Sequence, residues 1–396
     1  MTIPVYAQYF NHEKETEYLK KAYLQNAIVF PTTSYPVSRK QIIVIAENLE
    51  KMISDPAEKA EIRETIYRLK NKDNIGVKAK TTFVYNHHSD KLWDDYYENF
   101  FGIPPLFELN LMINSDRVAL EAGQTWRRQF ENFPETNLPE NKKDDIIAME
   151  NQFLSRGLLS YQFDEMEFLL GRAQVHFGDP SFNSLLPSNR LPFMDIAGLK
   201  VPIGPFELTG QIATLENRKA LEDQYSSEGE FEFGRNTIMT ALHKFGYHSS
   251  WIRVSVTGFS IISRPDNGFM LGDVFPVFSW HTADVGWHNL SLIGDISVSP
   301  YRGVNLFFQT GFDDINASDV FGINDSQIPT VQASIIGISY LKDINKKYQI
   351  EIDFELGKTH YLWGNFYAGA DPGEKNHYFE KAIYRVFMDS DNRILP

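Results

Sequence analysis

The chain has 396 residues, and 52 acidic side chains outnumber 38 basic ones, giving a formal net charge of −14. This length allows two or three ordinary domains, or one large β-barrel with an appendage. The absence of cysteine excludes disulfide scaffolds, thiolate metal sites and thiol nucleophiles, and the acidic balance argues against a nucleic-acid partner. Aromatic residues make up 14% of the chain, which favours a β-rich protein with a large aromatic surface.

The N-terminus resembles the tail of a secretory leader. Val5 and Ala7 suit a cleavage site, although the charged and apolar stretches that should precede it are missing. We predict that residues 1–8 are a remnant of a signal peptide, with an ordinary cytosolic start as the alternative. No run of about 18 apolar residues occurs, which excludes a helical membrane protein and leaves a β-barrel open.

Residues 9–77 are predicted to form a small helical appendage. Ser38 precedes an apolar stripe that starts at Ile42, and Gln41 completes a capping box. A second helix is expected to begin at Asp55-Pro56, because Asp is a good N-cap and Pro suits the first helical position. In an outer-membrane protein this appendage would lie in the periplasm.

From residue 78 the polarity alternates with a period of two, as in strands with one apolar and one polar face. The run from Tyr348 to Leu356 is the clearest example, with Glu351, Asp353 and Glu355 on its polar side. Many runs last about ten residues, close to the ~9–11 that cross a bilayer, and short turns alternate with long polar connections. The pattern predicts a mainly β fold, a large antiparallel transmembrane β-barrel of about 14–18 strands over residues 78–396. The alternative is a soluble β-sandwich or propeller.

No constellation for catalysis, cofactor binding or metal binding is evident. The ten histidines are scattered without the spacing of a metal site, and neither a G-x-S-x-G elbow nor a glycine-rich phosphate loop occurs. Carboxylates such as Glu351 and Asp353 leave a glycosidase pair open by number alone. Their i, i+2 spacing favours the polar wall of a water-filled lumen, so we expect a protein that is not an enzyme and uses no cofactor.

The most distinctive passage is a strand that carries an arginine and enters a Gly/Pro/Ser/Asn-rich loop. The predicted lumen and loop residues are Arg172, Gln174, His176, Asp179, Ser188, Asn189 and Pro192. Alternation places the first three on the polar inner face and Leu169, Val175 and Phe177 outside. Arg172 is expected to hold the loop 178–194 inside the barrel, through fork-like hydrogen bonds to Asp179 or to loop carbonyls. An ordinary ion pair with a lumen carboxylate is the alternative.

This passage resembles the outer-membrane capsule assembly family Wzi, in which a G-R strand leads into a W-G-P-G-like turn and an L-x-x-S-x-N-x-x-P loop. The segments 35–39 and 284–313 also resemble parts of that family, whereas Phe177 replaces its tryptophan and Asp179-Pro180 departs from its turn. The resemblance implies an 18-stranded barrel with a small periplasmic helical bundle, which binds surface polysaccharide and is not an enzyme. The ending at Pro396 suggests a chain that lacks its closing strands.

Four functions remain open from the sequence. The leading hypothesis is an outer-membrane protein that binds or organises capsular or other surface polysaccharide, with outer-membrane lipid as its surroundings. Aromatic and Asn/Asp residues of the long loops suit sugar binding; they are Phe182, Asn183, Asp313, Asp314 and Asn316. The alternatives are a general or selective porin, a barrel-embedded hydrolase of lipid or glycan, and a soluble carbohydrate-binding protein.

Overall fold

A computed structural model describes the chain in segments. These are residues 8–9, 14–71, 75–81, 106–115, 117–128, 131–132, 139–140, 149–150, 154–180, 184–188, 194–215, 238–262, 273–274, 288–314, 330–345, 348–360 and 363. The expected signal-peptide remnant lies outside the described residues except for Gln8.

Three helices and twenty strands make up the described structure. The helices are α1 (Lys14–Gln25), α2 (Arg39–Met52) and α3 (Pro56–Lys70). The short strands are β1 (Gln8–Tyr9), β2 (Ser34–Tyr35), β3 (Val37–Ser38), β7 (Glu131–Asn132), β8 (Pro139–Glu140), β9 (Met149–Glu150) and β12 (His176–Phe177). The long strands are β4 (Ile75–Thr81), β5 (Phe107–Asn114), β6 (Val118–Arg128), β10 (Leu154–Phe163), β11 (Met166–Ala173), β13 (Met194–Ile203), β14 (Phe206–Leu215), β15 (Ile238–His248), β16 (Ile252–Ile262), β17 (His288–Tyr301), β18 (Val304–Asp314), β19 (Val331–Asn345) and β20 (Tyr348–Thr359).

The N-terminal helices form where capping and apolar periodicity place them. Ser38 caps α2 by accepting a hydrogen bond from the amide of Gln41 at 3.2 Å, and Asp55 caps α3 in the same way from Ala57 at 2.8 Å. Their apolar stripes pack together with α1 in one core cluster that includes Leu19, Ile42, Leu49, Ile62 and Leu69. The predicted N-terminal helices are confirmed, whereas the first strand of the sheet already begins at Ile75, within the range 9–77 expected for the appendage.

Fourteen of the twenty described strands form one antiparallel sheet. Thirteen of these fourteen follow each other in chain order along a continuous path from β4 to β20. Each long strand from β10 to β19 contributes at least one buried residue to a single core cluster, so the sheet curls around a common interior. The predicted fold class, a mainly β chain with a large antiparallel barrel and a small helical appendage, is confirmed. In the part of the chain that the structure describes, no helix has the length and apolarity needed to cross a membrane.

The two faces of the sheet alternate as the sequence predicts. In β20, Ile352 and Phe354 are 54% and 59% exposed on the outer face, whereas Glu351, Asp353 and Glu355 point to the other side, opposite Leu341, Ser339 and Gly337 of β19. Exposed large apolar side chains occur on every one of the thirteen strands of the continuous path. The outer surface of the sheet is therefore a continuous apolar band.

The helical unit docks at the edge of the sheet where the strand connections are shortest. Val29 donates its amide to the carbonyl of Ser250 in the β15–β16 turn at 2.9 Å, and Gly303 in the β17–β18 turn donates to Leu24 at 2.8 Å. Lys40 Nζ reaches the carbonyl of Asp164 in the β10–β11 turn at 2.7 Å. Gly303 has a φ of +76° there, which a residue with a Cβ rarely adopts. We call this edge the short-turn edge.

Candidate functional site

The inner face of the sheet near the short-turn edge is covered by the segment that connects α1 to α2. This segment, residues 28–38, is called the strap. It carries β2 and β3 and is almost wholly buried. Because its Thr and Ser side chains are polar, they need partners when removed from water. Charged side chains projecting from the inner face of β13 to β16 supply those partners.

Glu207 and Lys244 form the centre of this contact. Glu207 accepts hydrogen bonds from Thr32 Oγ1 at 2.7 Å and Ser34 Oγ at 2.5 Å. Lys244 Nζ lies 3.7 Å from Glu207 Oε1 and donates to Thr33 Oγ1 at 2.7 Å and Ser34 Oγ at 3.0 Å. Both charged residues are buried. Each balances the charge of the other, which would be costly to bury alone.

Two further buried cations extend the contact along the strap. Lys200 Nζ donates to the carbonyl of Ser34 at 2.8 Å and to that of Pro36. Arg253 donates to the carbonyl of Phe30 and forms an ion pair with Asp179. Arg253 therefore joins the strap to a second inserted segment, since Asp179 belongs to the loop that follows β11.

That second segment, the inner loop, spans residues 174–188 and is described at 174–180 and 184–188. Its strand β12 pairs with β2 of the strap, with His176 opposite Tyr35. Phe177, Leu185 and Leu186 are buried in the core cluster shared with the inner faces of β10 to β19. Gln309 of β18 holds the loop, because its Oε1 accepts the amide of Leu185 at 2.7 Å. The described part of the loop is thus folded inward, as predicted.

The arginine that holds this loop is Arg253, and the predicted role of Arg172 is wrong. Arg172 makes a bidentate pair with Asp195 of the neighbouring strand β13, with Nε–Oδ1 at 2.8 Å and Nη2–Oδ2 at 2.9 Å. The ladder between β10 and β11 is regular from Met166 to Arg172, so Arg172 shares the outer face with exposed Leu170. The expectation had assumed that apolar residues point outward. The interior of this barrel is itself apolar next to the inner loop, so Leu169, Val175 and Phe177 are all buried inside.

The other predicted loop residues are distributed between the interior and the undescribed part of the chain. His176 is buried, and its Nε2 lies 3.1 Å from the carbonyl of Gly178. Gln174 and Ser188 are half-buried at the two ends of the inner loop. Asn189 and Pro192 lie outside the described residues. The structure therefore joins His176 and Asp179 in one buried segment and separates Arg172 from both.

Sequence reasoning missed Glu207, Lys244, Lys200 and Arg253 as site residues. Their signal is a charged residue at an inward position of an otherwise apolar strand, such as Lys200 between Leu199 and Val201. The alternation identifies the face of such a residue. It does not identify its partner, because the partners lie in the strap far away in the sequence.

A cavity of about 410 Å³ lies between α1 and the inner faces of β16 to β20, next to the strap. Its polar lining includes Lys20, Arg253, Ser297, Asn305 and Asp353. Burial lowers the pKa of Lys20 to about 8, against the opposing effect of Asp179. Among the described residues, no group of His, Asp and Glu has the arrangement of a metal site.

This lysine makes folding depend on pH. The folded-state pKa of Lys20 is about 8, below the ordinary value of 10.5. Between these values the unfolded chain binds a proton that the folded chain has lost, so stability rises with pH there. Below pH 8 both states hold the proton, and the cost of burying the charged lysine no longer changes with pH. We expect the contribution of this lysine to the rise in unfolding free energy, at most about 1.4 kcal/mol per pH unit, to be missing in Lys20→Met, so that its slope is smaller than that of the wild type. Equal slopes in urea titrations of the two proteins between these pH values would contradict it.

No family model matches the chain, and no curated protein matches it. Two solved structures are similar in part. One is Wzi from Escherichia coli, described as an outer-membrane protein involved in group 1 capsule assembly and a carbohydrate-binding β-barrel, at 10% identity over 89% of this chain and 96% of that one, with a TM-score of 0.29. The other is OprB from Pseudomonas putida, at 13% identity over 64% of this chain and 69% of that one, with a TM-score of 0.32. At these TM-scores neither similarity assigns a family, and the resemblance to Wzi stays a prediction.

Proposed function

We propose that this chain is an outer-membrane β-barrel with a closed interior, which binds surface polysaccharide through the edge opposite the helices and performs no catalysis. The observation that carries the membrane location is the apolar outer band, which runs across all thirteen strands of the continuous path. Soluble monomers rarely expose contiguous apolar patches beyond a few hundred Å². In outer-membrane barrels such a band faces lipid, the short turns face the periplasm and the long loops face outward.

The closed interior supports a binder over a general porin. The strap and the inner loop occupy the inside of the sheet, and the strap is bonded to β13, β14, β15 and β16 through Lys200, Glu207, Lys244 and Arg253. Porins of about 16–18 strands keep a water-filled channel. The specific observation that favours a selective porin as second candidate is the 410 Å³ polar cavity beside the strap.

Polysaccharide binding is proposed for the edge that carries the long connections. Of the loop residues expected to contact sugar, Asp313 lies at this edge and accepts a hydrogen bond from Ser291 Oγ at 2.7 Å. The side chains of Phe182, Asn183, Asp314 and Asn316 lie outside the described residues. Carboxylates and aromatic rings are groups that hydrogen-bond and stack on sugars.

Retention of purified capsular polysaccharide by the detergent-solubilised protein tests this function. We expect retention by the wild type and its loss when residues 315–329 are replaced by a short Gly/Ser linker, with heat-modifiable gel migration unchanged. The control is a variant with a linker of the same length inserted in the β19–β20 turn at the short-turn edge, between Asn345 and Tyr348. This variant should retain polysaccharide. Steady passage of small sugars through the wild type, with no retention, would favour the porin.

The membrane orientation of β20 predicts a difference between adjacent substitutions. We expect Ile352→Lys, on the apolar outer face, to cost about 2–4 kcal/mol of folding free energy in lipid. Asp353→Lys, on the inner face beside the cavity, should cost much less, because this side chain lies among polar groups and not against lipid. Urea titration of both variants in lipid vesicles measures this, and equal losses would contradict the assignment of the outer face to lipid.

A further inference from the structure

A second pocket, of about 330 Å³, lies at the short-turn edge between the start of α2 and strands β5, β6 and β10. Its lining includes Arg39, Lys40, Val44, Lys70, Arg117 and Val118. It is separate from the cavity beside the strap, since the two share no lining residue.

The charge of this lining is opposite to that of the chain. Four of its residues are basic, namely Arg39, Lys40, Lys70 and Arg117, and none is acidic, in a chain with a net charge of −14. Such a concentration of one charge in a concave site favours a ligand of the opposite charge. The pocket is therefore suited to an anion.

Three of the four basic groups are held in place by the surrounding structure. Arg39 Nε donates to the carbonyl of Leu69, near the end of α3, at 2.7 Å. Lys40 Nζ donates to the backbone carbonyl of Asp164 at 2.7 Å. Lys70 Nζ lies 2.5 Å from Glu47, and Lys40 Nζ lies 4.0 Å from Glu165 at an exposed site, so part of each charge is offset. Preformed positions of this kind reduce the conformational cost of binding a ligand.

The start of α2 adds a positive potential to the same pocket. This helix has no acidic residue in its first turn and instead begins with Arg39 and Lys40. Cations at a helix N-terminus oppose the helix dipole and destabilise the helix, whereas an anion placed there is stabilised. A bound anion would offset the repulsion between these two cations and the positive end of the helix dipole.

The pocket also reaches the outer band of the sheet through Val118, the one exposed apolar strand residue among the described residues of its lining. Val44 and Val118 are both exposed at its rim. Val118 stands opposite Tyr161 of β10, and the next outward pair along the same two strands is Leu120 and Leu159. All four of these strand residues are exposed on the outer face. A ligand with an anionic head in the pocket can therefore lay an apolar chain along the band.

We propose that this pocket binds the phosphate of an anionic phospholipid in the membrane leaflet at the short-turn edge. The inference rests on the proposed membrane location. Arg117 and Lys40 contact the phosphate, the N-terminal turn of α2 faces it, and the acyl chains follow the apolar band from Val118 to Leu159. The ligand is a phosphodiester whose negative charge is not balanced by a cation of its own headgroup. A zwitterionic headgroup would bring a second cation into a basic pocket.

Binding of short-chain lipid to the full-length protein in neutral detergent tests this. Calorimetric titration with dihexanoyl-phosphatidylglycerol should give one saturable site. Dihexanoyl-phosphatidylcholine should bind at least about tenfold more weakly, because the loss of one charge-assisted hydrogen bond lowers the affinity by about that factor. Arg117→Gln and Lys40→Gln should each weaken phosphatidylglycerol binding about tenfold by the same reasoning. Lys51→Gln, at an exposed site at the other end of α2, is the matched control and should bind like the wild type.

Three outcomes would overturn the proposal: no saturable site in the wild type, equal binding of the two lipids, or unchanged binding in Arg117→Gln. Inorganic phosphate that binds as tightly as the lipid would overturn the lipid assignment. Heat-modifiable migration and dependence on detergent, measured on the same preparations, report on the membrane barrel alone. A failure of the lipid site is thereby separated from a failure of the proposed function.

Discussion

Replacement of Glu207 by alanine is expected to detach the strap from the barrel wall. Glu207 is the carboxylate that bonds Thr32 and Ser34 and lies beside Lys244. Removing one partner of a buried charge network leaves the other charge uncompensated, which costs about 3–5 kcal/mol. We expect this loss in the free energy of unfolding, together with faster proteolysis within residues 28–38.

The matched control is Glu351→Ala, which removes the carboxylate from a pair between α1 and β20. Lys21 and Glu351 are 2.6 Å apart, with 36% and 47% of their side chains exposed. Exposed pairs contribute about 0–1 kcal/mol, so this variant should resemble the wild type in both measurements. Equal destabilisation by Glu207→Ala and Glu351→Ala would show that the strap is not held by the buried network.

Replacement of Arg253 by alanine is expected to loosen both inserted segments at once. Arg253 bonds the carbonyl of Phe30 in the strap and the carboxylate of Asp179 in the inner loop, so its removal leaves Asp179 without this cation. We expect a loss of about 3–5 kcal/mol and an increase in single-channel conductance as the interior opens to water. Arg172→Ala, which breaks the more exposed pair with Asp195, should cost about 0–1 kcal/mol and leave the conductance unchanged. An equal increase in both variants would contradict the assignment of the loop-holding role to Arg253.

The features that the sequence predicts correctly are those with a local cause. The caps of α2 and α3 depend on Ser38 and Asp55 and their immediate neighbours, and the two faces of β20 follow from strict alternation. Both patterns can be identified within about ten residues of chain. The antiparallel arrangement of long strands follows as well, since strands joined by short turns pair with their neighbours in the chain.

The features that the sequence predicts wrongly depend on distant partners. Asp179 and Arg253 are separated by 74 positions, and Ser34 and Glu207 by 173, so no local pattern connects them. The error at Arg172 has a related origin. Polar-in and apolar-out alternation holds for a water-filled lumen, whereas Phe177 and Leu185 fill part of this interior with an apolar core. Once the interior is apolar, polarity alone no longer distinguishes the two faces of β11.

Conductance of the wild-type protein in planar bilayers measures whether the strap and the inner loop close the interior. We expect no steady ion current in the wild type under conditions in which a general porin conducts, and a current in Arg253→Ala. A steady current of porin size in the wild type, unchanged by Arg253→Ala, would contradict this closure.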